Sequence, residues 1–414
     1  MSEEKLVPKL RFSGFTDEWV SYKIGDISKT YSGGTPSTSK REYYEGNIPF
    51  IKSGEIGNEV TEQYINEEAI NNSSAKKVQK GDLLLALYGA TSGEVAISKI
   101  DGAINQAVLK IDNKMNNYFQ YNYFVKYKDQ IIHKYLQGGQ GNLSANIIKK
   151  LEFYYPNLEE QQKISNYLLL IDNKIELLEK KHHEYQNFKK YLMQQIFAQK
   201  LRFKSADGEQ YSDWKERNLY EFLTEHKLKS TGNEEVYSVS VHKGLVNQKE
   251  HLGRDFSAPD TSKYNLVKPG DIVYTKSPTG DFPLGIIKQS RVDKNVIVSP
   301  LYGVFTPETY ALGYILNDYF ESNVNTHNYL HPIVQKGAKN TMNITNKTFL
   351  SKTLFVPTDV NEQQKIAECF SKVNDSIRNI EIQQNKVNEF KKGLLQQMFV
   401  VQLILSLLQN KKHI

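Results

Sequence analysis

The stretch EQQKISNYLLLIDNKIELLEKKHHEYQNFKKYLMQQIF, Glu160 to Phe197, decides the fold because the chain writes it twice. EQQKIAECFSKVNDSIRNIEIQQNKVNEFKKGLLQQMF, Glu362 to Phe399, repeats its opening EQQKI, its FKK and its closing QQ-Ile/Met-Phe at a constant offset of 202 residues. In the first copy apolar residues recur at Ile164, Leu168, Ile171, Ile175 and Leu178, and in the second at Ile366, Phe370, Val373, Ile377 and Ile380. Steps of four and three in alternation are the seam of a coiled coil. Polar residues interrupt both seams at the same two steps, His182/Gln384 and Lys189/Lys391. Each helix of about 40 residues would be roughly 60 Å long, too long to bury its stripe against one domain. The pattern predicts an intramolecular antiparallel pair; separate bundles or a homodimer are the alternatives.

Outward from these helices the repeat loosens. Leu10-Arg11-Phe12 matches Leu201-Arg202-Phe203 at an offset of 191, Gly81-Asp82 matches Gly270-Asp271 at 189, and Trp19 and Trp214 follow the first pair. A drifting offset beside a constant one marks regions that tolerate insertion flanking one that does not. Val78 to Ile97 and Val267 to Ile287 read as short strands separated by Gly-rich turns. Pro156 and Pro357 sit between the last strand of each half and the helix that follows. The predicted class is α+β with an internal pseudo-twofold repeat: a mixed domain over 1–155, a helix over 156–200, a second mixed domain over 201–357, and a second helix over 358–414. Val401, Leu405 and Leu408 keep the seam, so the second helix is expected either to run on or to end in an aberrant apolar tail.

Composition narrows the function. The chain has 414 residues, 39% hydrophobic and 24% charged, with a net charge of +6. That balance fits a globular protein and permits phosphate contacts without establishing them. The single cysteine, Cys369, rules out an internal disulfide and a cysteine-based zinc cluster, and points to a cytoplasmic setting. The N-terminus lacks a secretory h-region, and no apolar stretch reaches the roughly 20 residues of a membrane span. Catalytic signatures are missing. There is no Pro-Pro pair for a base-clamping methyltransferase motif and no Gly-Lys for a phosphate loop. Pro259-Asp260 is present, but Asp271, Asp281 and Asp293 lack Lys two residues on, no Glu lies between Glu250 and Glu308, and Glu179-x-Lys181 falls within the heptad helix. His327 and His331 stand four apart, a metal-ligand spacing on a helix, but Pro332 and the flanking Asn325, Asn328 and Lys336 read as a loop. No catalytic residue and no metal site is assigned.

Glycine-rich loops remain: Ser32–Ser37, Gly89–Gly93, Gln137–Asn142 and Lys336–Asn340. Glycine exposes backbone N–H groups, and neighbouring Ser, Thr and Lys suit phosphate oxygens. SGGTPSTSKREYYEGNIPFIKSGEI (Ser32–Ile56), QKGDLLLALYGATSGEVAI (Gln79–Ile97) and INQAVLKI (Ile104–Ile111) resemble the target-recognition domains of type I restriction–modification specificity (S) subunits. The two EQQKI…QQ-Ile/Met-Phe helices resemble that family's spacers. The resemblance covers essentially the whole chain, although the second half lacks the Gly-Gly-Thr-Pro loop.

The resemblance implies a non-catalytic subunit whose two domains each read half of a split sequence in double-stranded DNA. Its helices set the half-site spacing, on the order of 34 Å or one turn of DNA. They also dock two methyltransferase (M) subunits, which flip and methylate adenines, and restriction (R) subunits complete the nuclease. S-adenosylmethionine, ATP and Mg would belong to those partners. As DNA contacts we select Gly33, Gly34, Thr35, Ser37, Lys40, Lys52, Ser53, Tyr88, Thr91, Ser92, Gly139 and Asn142 in the first domain. In the second we select Lys243, Lys276, Ser277, Thr279, Lys336, Lys339 and Asn340. The competing class is a coiled-coil scaffold that binds proteins and never touches DNA.

Overall fold

The two repeated stretches form the longest helices of the protein, Leu158–Phe197 and Val360–Met398, of 40 and 39 residues. The computed structural model describes residues 7–136, 142–252, 260–276, 279–336 and 342–399, so the tail from Val400 to Ile414 lies outside the described residues. The chain divides into two units, residues 1–179 with 382–414, and residues 180–381. Each long helix therefore gives one half to each unit.

Within the first unit the start of one helix meets the end of the other. Ile164, Leu168 and Ile171 are buried with Leu394, Leu395, Met398 and Phe399, and Ile175 and Val387 border them. Within the second unit Ile366, Phe370 and Val373 are buried with Leu192, Met193 and Ile196, with Ile377 and Tyr185 at the edge. Leu178 and Ile380 are buried as well. Start packed on end within one chain is the antiparallel intramolecular arrangement. At about 1.5–3 kcal/mol for each fully buried aliphatic or aromatic side chain, these seams are a large share of what holds each unit together.

The repeated motifs outside the seam are fasteners. Arg11 donates through Nε and Nη2 to both carboxylate oxygens of Glu160, each at 2.7 Å, and Arg202 does the same to Glu362 at 3.1 and 2.9 Å. Both glutamates are fully buried. The next residue completes the joint: Gln161 Nε2 donates to the Pro156 carbonyl at 2.8 Å, and Gln363 Nε2 to Pro357 at 2.9 Å. Their Oε1 atoms accept from Asn116 N–H and from the Thr309 hydroxyl, at the head of the next domain helix in each unit. The Glu-Gln pair of EQQKI is thus a joint between helix and domain. The backbone repeats too: Leu10 N–H donates to Gln397 and Leu201 N–H to Gln195, positions that correspond in the two helices.

Each unit carries a four-stranded antiparallel sheet of the same order. In the first the strands run Ser28–Ser32, Val108–Asn113, Leu83–Ala86, Val95–Ile97, and in the second Leu223–Glu225, Gly303–Pro307, Ile272–Thr275, Ile286–Gln289. An outlying strand pair closes each domain, Val20–Lys23 with Glu152–Tyr155 and Lys215–Asn218 with Thr353–Val356. The units diverge at the second sheet. In the first, Ile48–Ile51 runs parallel to Gly102–Ile104. In the second, among the described residues, a single parallel bridge, Val236 to Ile297, stands there, followed by a hairpin of Tyr237–Ser240 and Gly244–Asn247.

The domain helix differs as well. Asn117–Leu136 is continuous, whereas its counterpart breaks into Tyr310–Phe320 and Asn323–Leu330. The second piece corrects the loop expected around Asn325 and Asn328. Ser322 accepts the Asn325 N–H and starts a helix, and Pro332 enters a 3-10 turn at its end, where proline is tolerated. His327 and His331 stack with ring centroids 4.8 Å apart on that helix and turn.

Candidate nucleic-acid interface

In the first unit the chain leaves strand Ser28–Ser32 through Gly33 and Gly34, both buried. A Cβ on Gly33 would lie 1.8 Å from the Ile104 carbonyl oxygen, and one on Gly34 would lie 2.5 Å from Ser74 Cβ. Gly33 N–H is already donated to the Asn105 carbonyl at 3.2 Å. This corrects the reading of the two glycines as outward-facing anion contacts. They are glycine because two backbone segments cross with no room for a side chain, and that crossing throws the next residues outward.

Those next residues are exposed. The Thr35 hydroxyl donates to Gln106 Oε1 at 2.5 Å, Ser37 and Ser39 share a hydroxyl contact of 2.8 Å, and Lys40 Nζ donates to the Tyr43 hydroxyl at 2.8 Å. That bond, with the ring beneath the ammonium, raises the Lys40 pKa. Tyr44 donates to the Pro36 carbonyl at 2.8 Å and pins the loop. After strand Ile48–Ile51, Lys52 and Ser53 open a turn that Glu55 organises by accepting the N–H groups of Lys52 (3.1 Å) and Glu62 (2.8 Å).

Tyr88, Thr91 and Ser92 lie beside that turn, since a Cβ on Gly89 would stand 3.9 Å from Ser53 Oγ. Their loop is held by left-handed glycines, Gly89 at φ +91° and Gly93 at φ +84°. The Ser92 hydroxyl donates inward to the Leu87 carbonyl at 2.9 Å, so it shapes the loop. Tyr88 packs on the core, and burial raises its phenol pKa. Thr91 is half-buried and Asn142 exposed, while Gly139 lies outside the described residues.

Thr35 and Lys52 share a groove of about 350 Å³ with Thr38, Arg41, Tyr44, Phe50, Gln63 and Asn105. The sequence reading missed Arg41, Gln63 and Asn105. All but Gln63 lie inside the motifs quoted above, so attention to side chains with two-donor heads would have found Arg41. Gln63 carries no local signal.

The second unit presents a different surface. Lys243 is exposed at the tip of the hairpin that Gly244 turns at φ +69°. Lys276 ends strand Ile272–Thr275 half-buried, and burial lowers its pKa against the opposing pull of Glu225. A charge held partly out of water gains from an incoming anion. The exposed Thr279 exchanges two backbone bonds with Phe282, at 3.1 and 2.7 Å. Lys336 closes strand Gln335–Lys336, paired with Met342–Asn343. Ser277, Lys339 and Asn340 lie outside the described residues. Among the described residues no group of three His, Cys, Asp or Glu could hold a metal, and no helix is long and apolar enough to cross a membrane.

Residues 16–187 match the family described as Type I restriction modification DNA specificity domain. The chain is 29% identical over 239 residues to the Type I restriction enzyme MjaIX specificity subunit of Methanocaldococcus jannaschii, covering 53% of this chain and 55% of that one. It is 27% identical over 183 residues to the EcoR124I/EcoR124II specificity subunit of Escherichia coli, covering 40% and 45%. The chain thus spans about half the length of the curated relatives it matches. The crystal structure of a type I restriction–modification S subunit from M. genitalium superposes with a TM-score of 0.62 at 15% identity, covering 95% of this chain and 99% of that one. That likeness extends the shared fold over both units.

Proposed function

We propose that the chain is a member of the type I specificity-subunit family and serves as the DNA-reading subunit of a type I restriction–modification complex. Each unit reads one half of a bipartite target in double-stranded DNA. The long helices set the gap between half-sites and dock two methyltransferase subunits for adenine methylation, and restriction subunits complete the nuclease. The chain itself is non-catalytic. S-adenosylmethionine, ATP and Mg serve the partner subunits, and the complex works in the cytoplasm.

The observation that carries this reading is the combination of one sheet order and one Arg–Glu joint in both units with unlike outer loops. A reader must keep its mounting and vary its reading face. A protein scaffold would have no need to repeat the mounting at both helix starts. Co-expression with the methyltransferase subunit in a methylation-free host, followed by mapping of modified adenines, tests it. Two short specific blocks around a fixed gap support the reading, and a stable complex that leaves no bipartite mark rejects it. Lys276→Ala should weaken binding to all sequences alike and lower the salt slope by about one; an unchanged slope would remove Lys276 from the interface.

A further inference from the structure

The groove beside the Gly33–Gly34 crossing sorts its side chains into two kinds. Some are already occupied: the Tyr44 hydroxyl on Pro36, the Thr35 hydroxyl on Gln106, and Lys52 Nζ 3.5 Å from Glu62. Others end in open hydrogen-bonding heads. Arg41 and Gln63 are exposed, and among the described residues no hydrogen bond or ion pair holds either side-chain head. Asn105 is intermediate. Its Oδ1 accepts the Ala107 N–H at 3.0 Å, which fixes the amide and leaves Nδ2 to donate.

The mounting of these three is rigid where their heads are free. Arg41 opens the 3-10 turn Arg41–Tyr44, anchored by the buried Tyr43 and by the Tyr44 bond to Pro36. The Gln63 carbonyl accepts from the N–H of Phe50 and from the Thr61 hydroxyl, tying its backbone to a core strand. Asn105 N–H donates to Ile51 and its carbonyl accepts from Gly33. Free heads on fixed backbones suit recognition by fit, because the backbone is already ordered and only the side-chain rotamers remain to be fixed on binding.

The chemistry favours base edges over phosphates. A phosphate site gathers cations and backbone N–H groups, whereas here Lys52 is offset by Glu62 and one wall is the ring of Phe50. A guanidinium beside two carboxamides is the set that pairs with purine edges: Arg with guanine O6 and N7, Gln or Asn with adenine N6 and N7. Resting on the DNA-reading function above, we propose that Arg41 and Gln63 are the base-reading side chains of the first unit, with Asn105 Nδ2 as a supporting donor. Arg41 then specifies a G·C pair in the first half-site.

The experiment maps methylation by the complete complex and measures its DNA affinity with the native chain, Arg41→Ala and Gln63→Ala. The expected result keeps the second half-site and the gap, while one position of the first half-site becomes degenerate in each variant. Discrimination at that position should fall on the order of 10- to 100-fold. Uniform weakening across sequences with a flatter salt dependence would make Arg41 a phosphate contact and overturn the proposal, as would an unchanged motif. If the native complex itself leaves no bipartite mark, the DNA-reading function fails first and takes this proposal with it. Both side chains are exposed, so unfolding curves matching the native chain separate lost reading from lost fold.

Discussion

The two units solve one problem, a lysine in an apolar helix seam, by different routes. In the first, Lys391 lies 2.5 Å from Asp172 on the facing helix, and Tyr118 of the domain helix also donates to Asp172. In the second, Asn374 stands where Asp172 would be, and Lys189 turns instead to the domain helix and its end. It lies 2.5 Å from Glu321 and 3.5 Å from Asp318, with Lys288 on Glu321 at 3.0 Å and Asn374 donating to Asp318 at 3.0 Å. The acid has moved from the helix to the domain. What is kept is that the lysine has a partner; which element supplies it is free to drift. The Arg–Glu joints did not drift, because the arginine, the glutamate and the following glutamine interlock, and no single change preserves all their bonds.

The largest test of that contrast is Glu362→Ala against Glu160→Ala. Each breaks a largely buried Arg–Glu pair, a loss of about 3–5 kcal/mol by the measure of broken buried ion pairs, at the lower end for Arg202, which keeps the Tyr211 and Ser212 carbonyls and Asp213. Glu362 also accepts the Trp214 Nε1–H at 3.0 Å, whereas the buried Trp19 Nε1 has no partner among the described residues. The tryptophan bond should therefore add about 1 kcal/mol to the second unit's loss, when urea unfolding is followed by hydrogen exchange unit by unit. A smaller loss there than in the first unit would mean that the tryptophan bond contributes nothing.

Next comes Lys189→Met against Lys391→Met. The first change leaves Asp318, fully buried, with Arg291 and the amides of Asn374 and Asn317, and should cost about 3 kcal/mol. The second leaves Asp172 with 22% of its side chain still in water and should cost about 1 kcal/mol. A larger loss at Lys391 would invert the comparison.

The same cluster predicts a pH dependence confined to the second unit. Burial by itself would raise the Glu321 pKa, but the ammonium groups of Lys288 and Lys189 outweigh it and hold the pKa at about 2, below the ordinary 4.5. A depressed acid contributes stability above its unfolded pKa and loses it as pH falls, here between about 4.5 and 2. Asp318 is raised by burial and works in the opposite sense, which shallows the slope. Glu321→Gln should flatten the acid limb of the second unit and leave that of the first unchanged.

How much of this could be read from sequence depends on the length over which a signal repeats. The seam residues Ile164 to Leu178 and Ile366 to Ile380 declare themselves because one period runs for tens of residues, and even their polar interruptions were visible. The partners of Lys189 were not, because Asp318 and Glu321 lie on a separate element more than 120 residues away. The paired sheets were half legible. Gly81-Asp82 and Gly270-Asp271 mark the same turn, whose N–H and carbonyl groups bond Ser98 and Ser290 alike, but strands of three to six residues carry too little pattern to reveal a shared strand order. Gly33 and Gly34 misled for a physical reason. A glycine that frees an N–H for a ligand and one that admits a crossing backbone look identical in sequence, and only the 1.8 Å approach to Ile104 separates them.

The smallest effect probes the part of the comparison where the units should agree. Ser144 accepts the Ile147 N–H at 3.3 Å and Thr345 accepts the Thr348 N–H at 3.1 Å, each capping a five-residue helix that leads into the last strand of its domain. Different hydroxyl residues here do one job with one geometry, unlike the lysines, which do one job with two. Ser144→Ala and Thr345→Ala should each cost about 1 kcal/mol. The threonine should lose slightly more, because its hydroxyl also contacts that of Thr348 at 2.7 Å. A difference of several fold between them would show that even the closing turn has taken on separate energetic roles, and the boundary between kept mounting and drifting surface would have to be drawn further inside each domain.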